Sequence, residues 1–310
     1  MNILVTGGAG YLGSVLCELL LDKGYKVTAV DNLMYRQKSL FHLCNNPNFE
    51  FVFGDVRNAD LMQKLIKDAH VLIPLAAIVG APACDMDPQL ATSINFDAIR
   101  LLNKLRSKDQ LIVYPTTNSG YGASSGEVLC TEETPLHPIS HYGRTKSDAE
   151  AELLGSENTI TLRLATVFGM SPRMRLDLLV NHFAYVALND GYVVLFEKDF
   201  KRNFVHIRDI ADCFIYCIEN SKKMVGKPYN IGLDSANLSK EELALKIKEH
   251  LPNFYIHFAE VGSDPDKRNY IVSSHRLKTA GFEAKRSLDE GIKELIKGYQ
   301  MIKRLEYKNV

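Results

Sequence analysis

Tyr142 and Lys146 stand in the run His141-Tyr142-Gly143-Arg144-Thr145-Lys146. On a helix this Tyr-x-x-x-Lys spacing puts a phenol and an ammonium on one face. A free phenol titrates near pH 10, so it acts as a base near neutrality only where positive charge favours the phenolate. A lysine one turn away supplies that charge. Upstream, Tyr114-Pro115-Thr116-Thr117-Asn118-Ser119-Gly120-Tyr121-Gly122 ends an apolar run in a cluster of hydroxyls. Thr117, Tyr142 and Lys146 are therefore candidate catalytic residues for taking the proton of a substrate alcohol while its carbon-bound hydrogen leaves as hydride. Tyr299 and Lys303 repeat the spacing near the end of the chain, where a surface pair is expected.

A hydride needs an acceptor, and the N-terminus offers a seat for one. Thr6-Gly7-Gly8-Ala9-Gly10-Tyr11-Leu12-Gly13 follows a short apolar run and opens a helical pattern. In such a turn Gly7 makes the tight corner, Gly10 lets backbone approach a pyrophosphate, and Gly13 lets helix pack on strand. The helix N-terminus adds N–H groups and a positive dipole end. Gly7, Gly10, Tyr11, Leu12 and Gly13 are candidate cofactor contacts. Asp31 and Asn32 close the second apolar run, and a carboxylate there accepts both ribose hydroxyls of NAD and repels the extra phosphate of NADP. Arg36 nearby keeps an NADP alternative open, but NAD is the expected cofactor.

These groups need a scaffold. Asn2–Thr6, Lys26–Val30, Glu50–Phe53, Val71–Leu75, Leu111–Pro115 and Thr159–Leu164 read as short buried strands. Tyr11–Lys23, Asp60–Asp68, Asp87–Arg106 and Tyr142–Leu154 read as the helices between them. That alternation predicts an α/β fold, a Rossmann-type doubly wound parallel sheet. Phe204–Ile207 and a helix Asp209–Asn220 are expected to return to the same sheet. The expected division is a dinucleotide-binding domain over 1–167, with 201–221 returning to it, and a smaller mixed α/β substrate lobe over 168–310, ending in a helix at Ser287–Lys303.

The chain has 310 residues, 37 basic and 37 acidic side chains and 46% hydrophobic residues, an ordinary globular composition. Zero formal net charge argues against a nucleic-acid partner. No apolar run reaches the roughly 20 residues that span a bilayer, and the N-terminus lacks the pattern of a signal peptide. Six cysteines without a C-x-x-C read as buried small side chains, Cys213 and Cys217 included. A cytoplasmic protein with no membrane partner is expected. The nine histidines form no ligand spacing, so no metal is expected. His206 reads as structural, and His141 should point away from Tyr142.

The Thr-Gly-x-x-Gly-x-x-Gly turn, the glycine-acid pair in Gly54-Asp55-Val56, Leu75-Ala76-Ala77 and the Tyr-x-x-x-Lys in this order resemble the short-chain dehydrogenase/reductase superfamily. Leu162-Arg163-Leu164-Ala165-Thr166-Val167-Phe168-Gly169 and Arg202-Asn203-Phe204-Val205-His206-Ile207-Arg208-Asp209 are similar to segments of its extended branch, the NAD-dependent nucleotide-sugar epimerases and dehydratases. Thr166 and Asn203 depart from the usual Asn and Asp. The resemblance implies that Asp55 and Val56 meet the adenine and that Leu75, Ala76 and Ala77 lie near the nicotinamide half. It implies a nucleotide-diphosphate sugar as substrate, with Asn118, Ser119, Asn181, Arg202 and Arg268 as substrate contacts, and a homodimer built on helices 87–106 and 142–154. Sugar 4,6-dehydratases of this branch carry Thr-Asp-Glu where this chain has Thr117-Asn118-Ser119, so the carboxylates that serve dehydration are missing. Oxidation at C4, epimerisation and ketosugar reduction remain. The segments 118–122, 173–181 and 264–268 most resemble GDP-heptose-modifying enzymes of bacterial capsule synthesis. A non-catalytic NAD sensor on the same fold is the alternative of another class, and the intact Thr117, Tyr142 and Lys146 set speaks against it.

Overall fold

The computed structural model describes residues 1–36, 38–122, 129–259 and 269–302. Seven strands form one sheet in the spatial order Lys227–Ile231, Thr159–Leu164, Leu111–Thr117, Val71–Pro74, Asn2–Thr6, Lys26–Asp31 and Phe49–Phe53. Every pairing is parallel. Alternate side chains feed opposite layers. Ile3, Val5, Val113 and Leu162 join one core with Leu16 and Leu20 of helix Tyr11–Asp22 and Phe214 of helix Ile207–Glu219. Leu4, Leu72, Ile112 and Tyr114 join the other with Met62, Ile99, Leu102, Ala149 and Leu153. Burial on both faces is why these strands read as continuous apolar runs.

Asn2–Thr6 lies between Lys26–Asp31 and Val71–Pro74. The chain leaves this central strand in opposite directions, which opens a crevice at the strands' carboxyl ends.

The expectation for Phe204–Ile207 is corrected. Lys201–His206 pairs with Thr166–Phe168 and Asn237–Ser239 in a separate three-stranded sheet. The strand that returns to the large sheet is Lys227–Ile231. The cause lies at Ala165, whose N–H donates to the Ile231 carbonyl at 2.9 Å, between a strand of the large sheet and one of the small sheet. One run of chain serves both sheets, and 201–206 follows its second half. Helix Ile207–Glu219 nevertheless packs back on helix Tyr11–Asp22.

The single helix expected over Asp87–Arg106 is also broken. Asp87 caps Pro88–Thr92 by accepting from Leu90 N–H, and a π turn at Ser93–Asp97 precedes Ala98–Leu105. The wider turn delivers Asn95, whose amide accepts from Ile78 N–H at 2.8 Å and donates to the Ile78 carbonyl at 2.9 Å. Such turns recur near functional sites.

Candidate active site

One cleft of about 840 Å³ runs along the crevice and on to Arg202, Lys240 and Tyr270. At its first end the chain turns at Gly7, which has φ +68° and donates its N–H to the Val30 carbonyl at 2.7 Å. A Cβ on Gly7 would sit 2.6 Å from Ala76 N, so only glycine allows the turn to pass this close to the fourth strand. Helix Tyr11–Asp22 then begins with no side-chain cap and no acid in its first turn, which leaves a cradle suited to a diphosphate. Gly7, Gly10, Tyr11, Leu12, Gly13, Asp31, Asn32, Asp55 and Val56 all line the cleft.

Asp31 accepts from Ala9 N–H at 3.0 Å and from Leu33 N–H at 2.8 Å. Burial pushes its carboxyl pKa up, and these two N–H groups with the Arg173 guanidinium oppose that rise. The carboxylate is thus fixed beside the glycine turn, where a dinucleotide places its ribose. Asp55 is held by Arg57 at 2.7 Å, which lowers its pKa.

Further along, Leu75, Ala76, Ala77, Thr117, Ser119, Tyr142 and Lys146 line the same cleft. Helix His141–Leu154 starts where Ser140 accepts from Gly143 N–H at 3.0 Å, so Tyr142 and Lys146 fall in its first two turns. Tyr142 packs against Ile78, Cys84, Ala91 and Ile94. Lys146 is 4% exposed, with Nζ 4.0 Å from the centre of the Tyr114 ring. Burial pushes its pKa down to about 7, while Glu150 one turn later opposes the fall. Burial thus works against the ammonium form that would favour a phenolate at Tyr142, and the Glu150 carboxylate works for it. Thr117 donates its hydroxyl to Ser119 Oγ at 3.0 Å and accepts from Ser119 N–H at 3.1 Å.

At the far end the cleft is lined by Thr166, Arg202, Lys240 and Tyr270. Arg202 lies 5.6 Å from the Tyr270 ring centre. Two expected substrate contacts are not brought to the cleft. Asn118 is buried, and neither polar atom of its amide has a hydrogen-bond partner among the described residues. Asn181 is fully buried beneath the cleft: it accepts from Gly169 N–H and donates to Tyr11 Oη and the Arg175 carbonyl. Arg268 lies outside the described residues.

Tyr299 is not the surface residue expected. It is 2% exposed, donates to the Asn181 carbonyl at 2.9 Å and stacks edge-on against Tyr185. Lys303 lies outside the described residues. His206 caps helix Ile207–Glu219 and contacts Glu294 at 3.0 Å, and His141 contacts Thr92 Oγ1 at 2.9 Å; neither lines the cleft. Among the described residues no group of three or more His, Cys, Asp or Glu could hold a metal ion, and no helix is long and apolar enough to cross a membrane.

Sequence reasoning missed Arg173, Arg175, Tyr35, Lys240 and Tyr270, all of which line the cleft.

Residues 3–232 match the NAD dependent epimerase/dehydratase family. The chain belongs to that family. NAD is its cofactor, and the glycine cradle and Asp31 fit it. An uncharacterized UDP-glucose epimerase of Bacillus subtilis is 32% identical over 266 residues, 80% of this chain and 79% of that one. A low-salt glycan biosynthesis protein of Haloferax volcanii is 27% identical over 96% of this chain and 98% of that one. Among solved structures, a UDP-glucuronic acid 4-epimerase from Bacillus cereus in complex with UDP-glucuronic acid and NAD has a TM-score of 0.85 and 26% identity, covering 97% and 99% of the two chains. A dTDP-glucose 4,6-dehydratase from Bacillus anthracis in complex with NAD has 0.85 and 25%, covering 99% and 98%.

Two outcomes test the site. NAD should bind more tightly than NADP, and Asp31→Ala should weaken NAD by about 10- to 100-fold, the loss expected for a charge-assisted hydrogen bond, while narrowing the gap. Calorimetry giving equal affinities for the unaltered protein would remove Asp31 from the role. Tyr142→Phe should lower turnover by about 10²–10⁴-fold with NAD still bound. Tyr299→Phe should leave turnover intact and cost about 1 kcal/mol of stability from its lost hydrogen bond. Turnover of both variants, with thermal unfolding of the second, checks the contrast; a turnover loss confined to Tyr299→Phe would overturn it.

Proposed function

We propose that this enzyme oxidises C4 of a nucleotide-linked sugar, a GDP-heptose in bacterial capsule synthesis, to the 4-keto sugar. The observation that carries the reading is the lining of one cleft by Thr117, Tyr142 and Lys146 together with the glycine turn at one end and Arg202 at the other. Arg202, 3% exposed, offers a planar fork of donors to a substrate diphosphate. Tyr142 takes the proton of the C4 hydroxyl, Lys146 supports its phenolate, and the Thr117 hydroxyl orients the sugar oxygen. NAD, held by the glycine turn, Asp31 and Asp55, supplies the hydride acceptor when bound. Positions 118 and 119 carry no carboxylate, which speaks against the elimination of water catalysed by 4,6-dehydratases. The choice of GDP-heptose rests on the resemblance of segments 118–122, 173–181 and 264–268 to GDP-D-glycero-α-D-manno-heptose 4-dehydrogenase.

A second reading is 4-epimerisation of a nucleotide sugar, favoured by the names of the Bacillus subtilis and Bacillus cereus relatives. An epimerase returns the hydride to the opposite face of the same carbon, so no reduced nicotinamide accumulates. The enzyme mixed with NAD and GDP-D-glycero-α-D-manno-heptose should give the 4-keto sugar by NMR and absorbance at the reduced nicotinamide band. A 4-epimer without that band would replace the dehydrogenase reading with the epimerase one.

We further propose a homodimer through residues 87–106 and 142–154. Helices Ala98–Leu105 and His141–Leu154 lie side by side, and Arg100 and Lys104 on one and Arg144, Asp148 and Ala151 on the other face outward. Sedimentation at micromolar concentration should give the mass of two chains; the mass of one would exclude a stable dimer.

A further inference from the structure

The segment from Gly169 to Leu178 leaves the small sheet and crosses the cleft before helix Leu179–Asn189. Its ends are tied to the glycine turn and its helix. Tyr11 donates its hydroxyl to the Gly169 carbonyl at 2.6 Å, and Ser171 donates to the Tyr11 carbonyl at 2.7 Å and sits 3.0 Å from Ser14 Oγ. Arg173 N–H donates to Ser171 Oγ at 3.2 Å, and Asn181 holds the Arg175 carbonyl at 2.9 Å. Backbone so anchored does not swing as a flap, which leaves side chains as its movable parts.

Two of those side chains are arginines that line the cleft, 3% and 7% exposed. Arg175 pairs with Asp177 and lies within electrostatic reach of Tyr142 and Tyr11. Arg173 lies over Tyr35, 4.4 Å from its ring centre, and within electrostatic reach of Asp31. Arg173 and Arg175 also repel one another, and this adds to burial in lowering the Arg173 pKa. A second group of anions between them would relieve that repulsion. Tyr35 itself is 37% exposed and stands in a turn closed by Arg36 N–H to the Leu33 carbonyl at 2.8 Å. Leu33 and Arg36 both have positive φ, +51° and +57°, a strained arrangement for such side chains that functional loops retain.

The uncapped N-terminus of helix Tyr11–Asp22 and two guanidiniums of the segment anchored to it thus line one cleft. We propose that Arg173 and Arg175 grip the NAD diphosphate from the side opposite the glycine turn, and that the Arg173–Tyr35 stack is the latch that limits its departure. The arginine must leave the ring for the dinucleotide to pass.

Release of NAD in the absence of any sugar tests this, independently of which sugar the enzyme oxidises. Protein saturated with NAD and gel-filtered is mixed with excess radiolabelled NAD, and the rate of label uptake is followed. Arg173→Ala should exchange about 10- to 100-fold faster than the unaltered protein, as expected for loss of a charge-assisted contact. Tyr35→Ala, at an exposed position, should exchange faster by about 3- to 10-fold through loss of the ring alone. Circular dichroism confirms that each variant is folded, and Tyr35→Ala decides the matter if Arg173→Ala is not. Exchange at the unaltered rate in a folded Arg173→Ala or in Tyr35→Ala would overturn the latch. Loss of NAD from the unaltered protein during gel filtration would overturn it as well.

Discussion

The buried ion pair between Glu150 and Arg163 holds the helix of Tyr142 and Lys146 against the strand that ends at Thr117. Arg163 donates through Nε at 2.9 Å and Nη2 at 2.6 Å to Glu150, and their side chains are 7% and 3% exposed. Two charges taken out of water hold only when their remaining lone pairs and protons are met. Thr116 and Thr161 donate hydroxyls to the same carboxylate. Arg163 Nη1 reaches Tyr121, whose hydroxyl donates to Asn230 at 2.7 Å. The network ties one helix to three neighbouring strands. Thr116 precedes Thr117, and Glu150 lies one turn beyond Lys146. The pair therefore places the face of Tyr142 and Lys146 beside Thr117, and the carboxylate opposes the fall in the Lys146 pKa that burial causes.

A second constraint lies at the first turn of the first helix. Because the chain changes sheets at Ala165, the segment after Gly169 emerges beside the glycine turn rather than at the far edge of the molecule. Asn181, Tyr11 and Gly169 form one buried hydrogen-bonded junction there, and the Tyr299 hydroxyl closes it from the last helix. Three distant parts of the sequence meet at this point, so the segment 169–181 and the last helix are seated on the first turn of the first helix.

Composition and spacing alone determined the parallel sheet, the glycine turn, Asp31 and the Tyr142–Lys146 face. Each rests on local geometry: short continuous apolar runs make strands buried on both faces, helical spacing aligns a phenol with an ammonium, and a glycine turn between strand and helix has few uses. Tertiary structure decided what depends on distant partners. The family resemblance made Asn181 a candidate substrate contact, yet its amide is engaged with Tyr11, Gly169 and Arg175. Tyr299 carried the same spacing as Tyr142 but faces the core instead of the cleft. Pairing of 201–206 followed a sheet change at Ala165 that apolar patterning cannot signal, since strands of either sheet read alike. The contact of Arg173 with Tyr35 was invisible for the same reason: a guanidinium stacks on a ring far away in sequence only after the fold has closed the space between them.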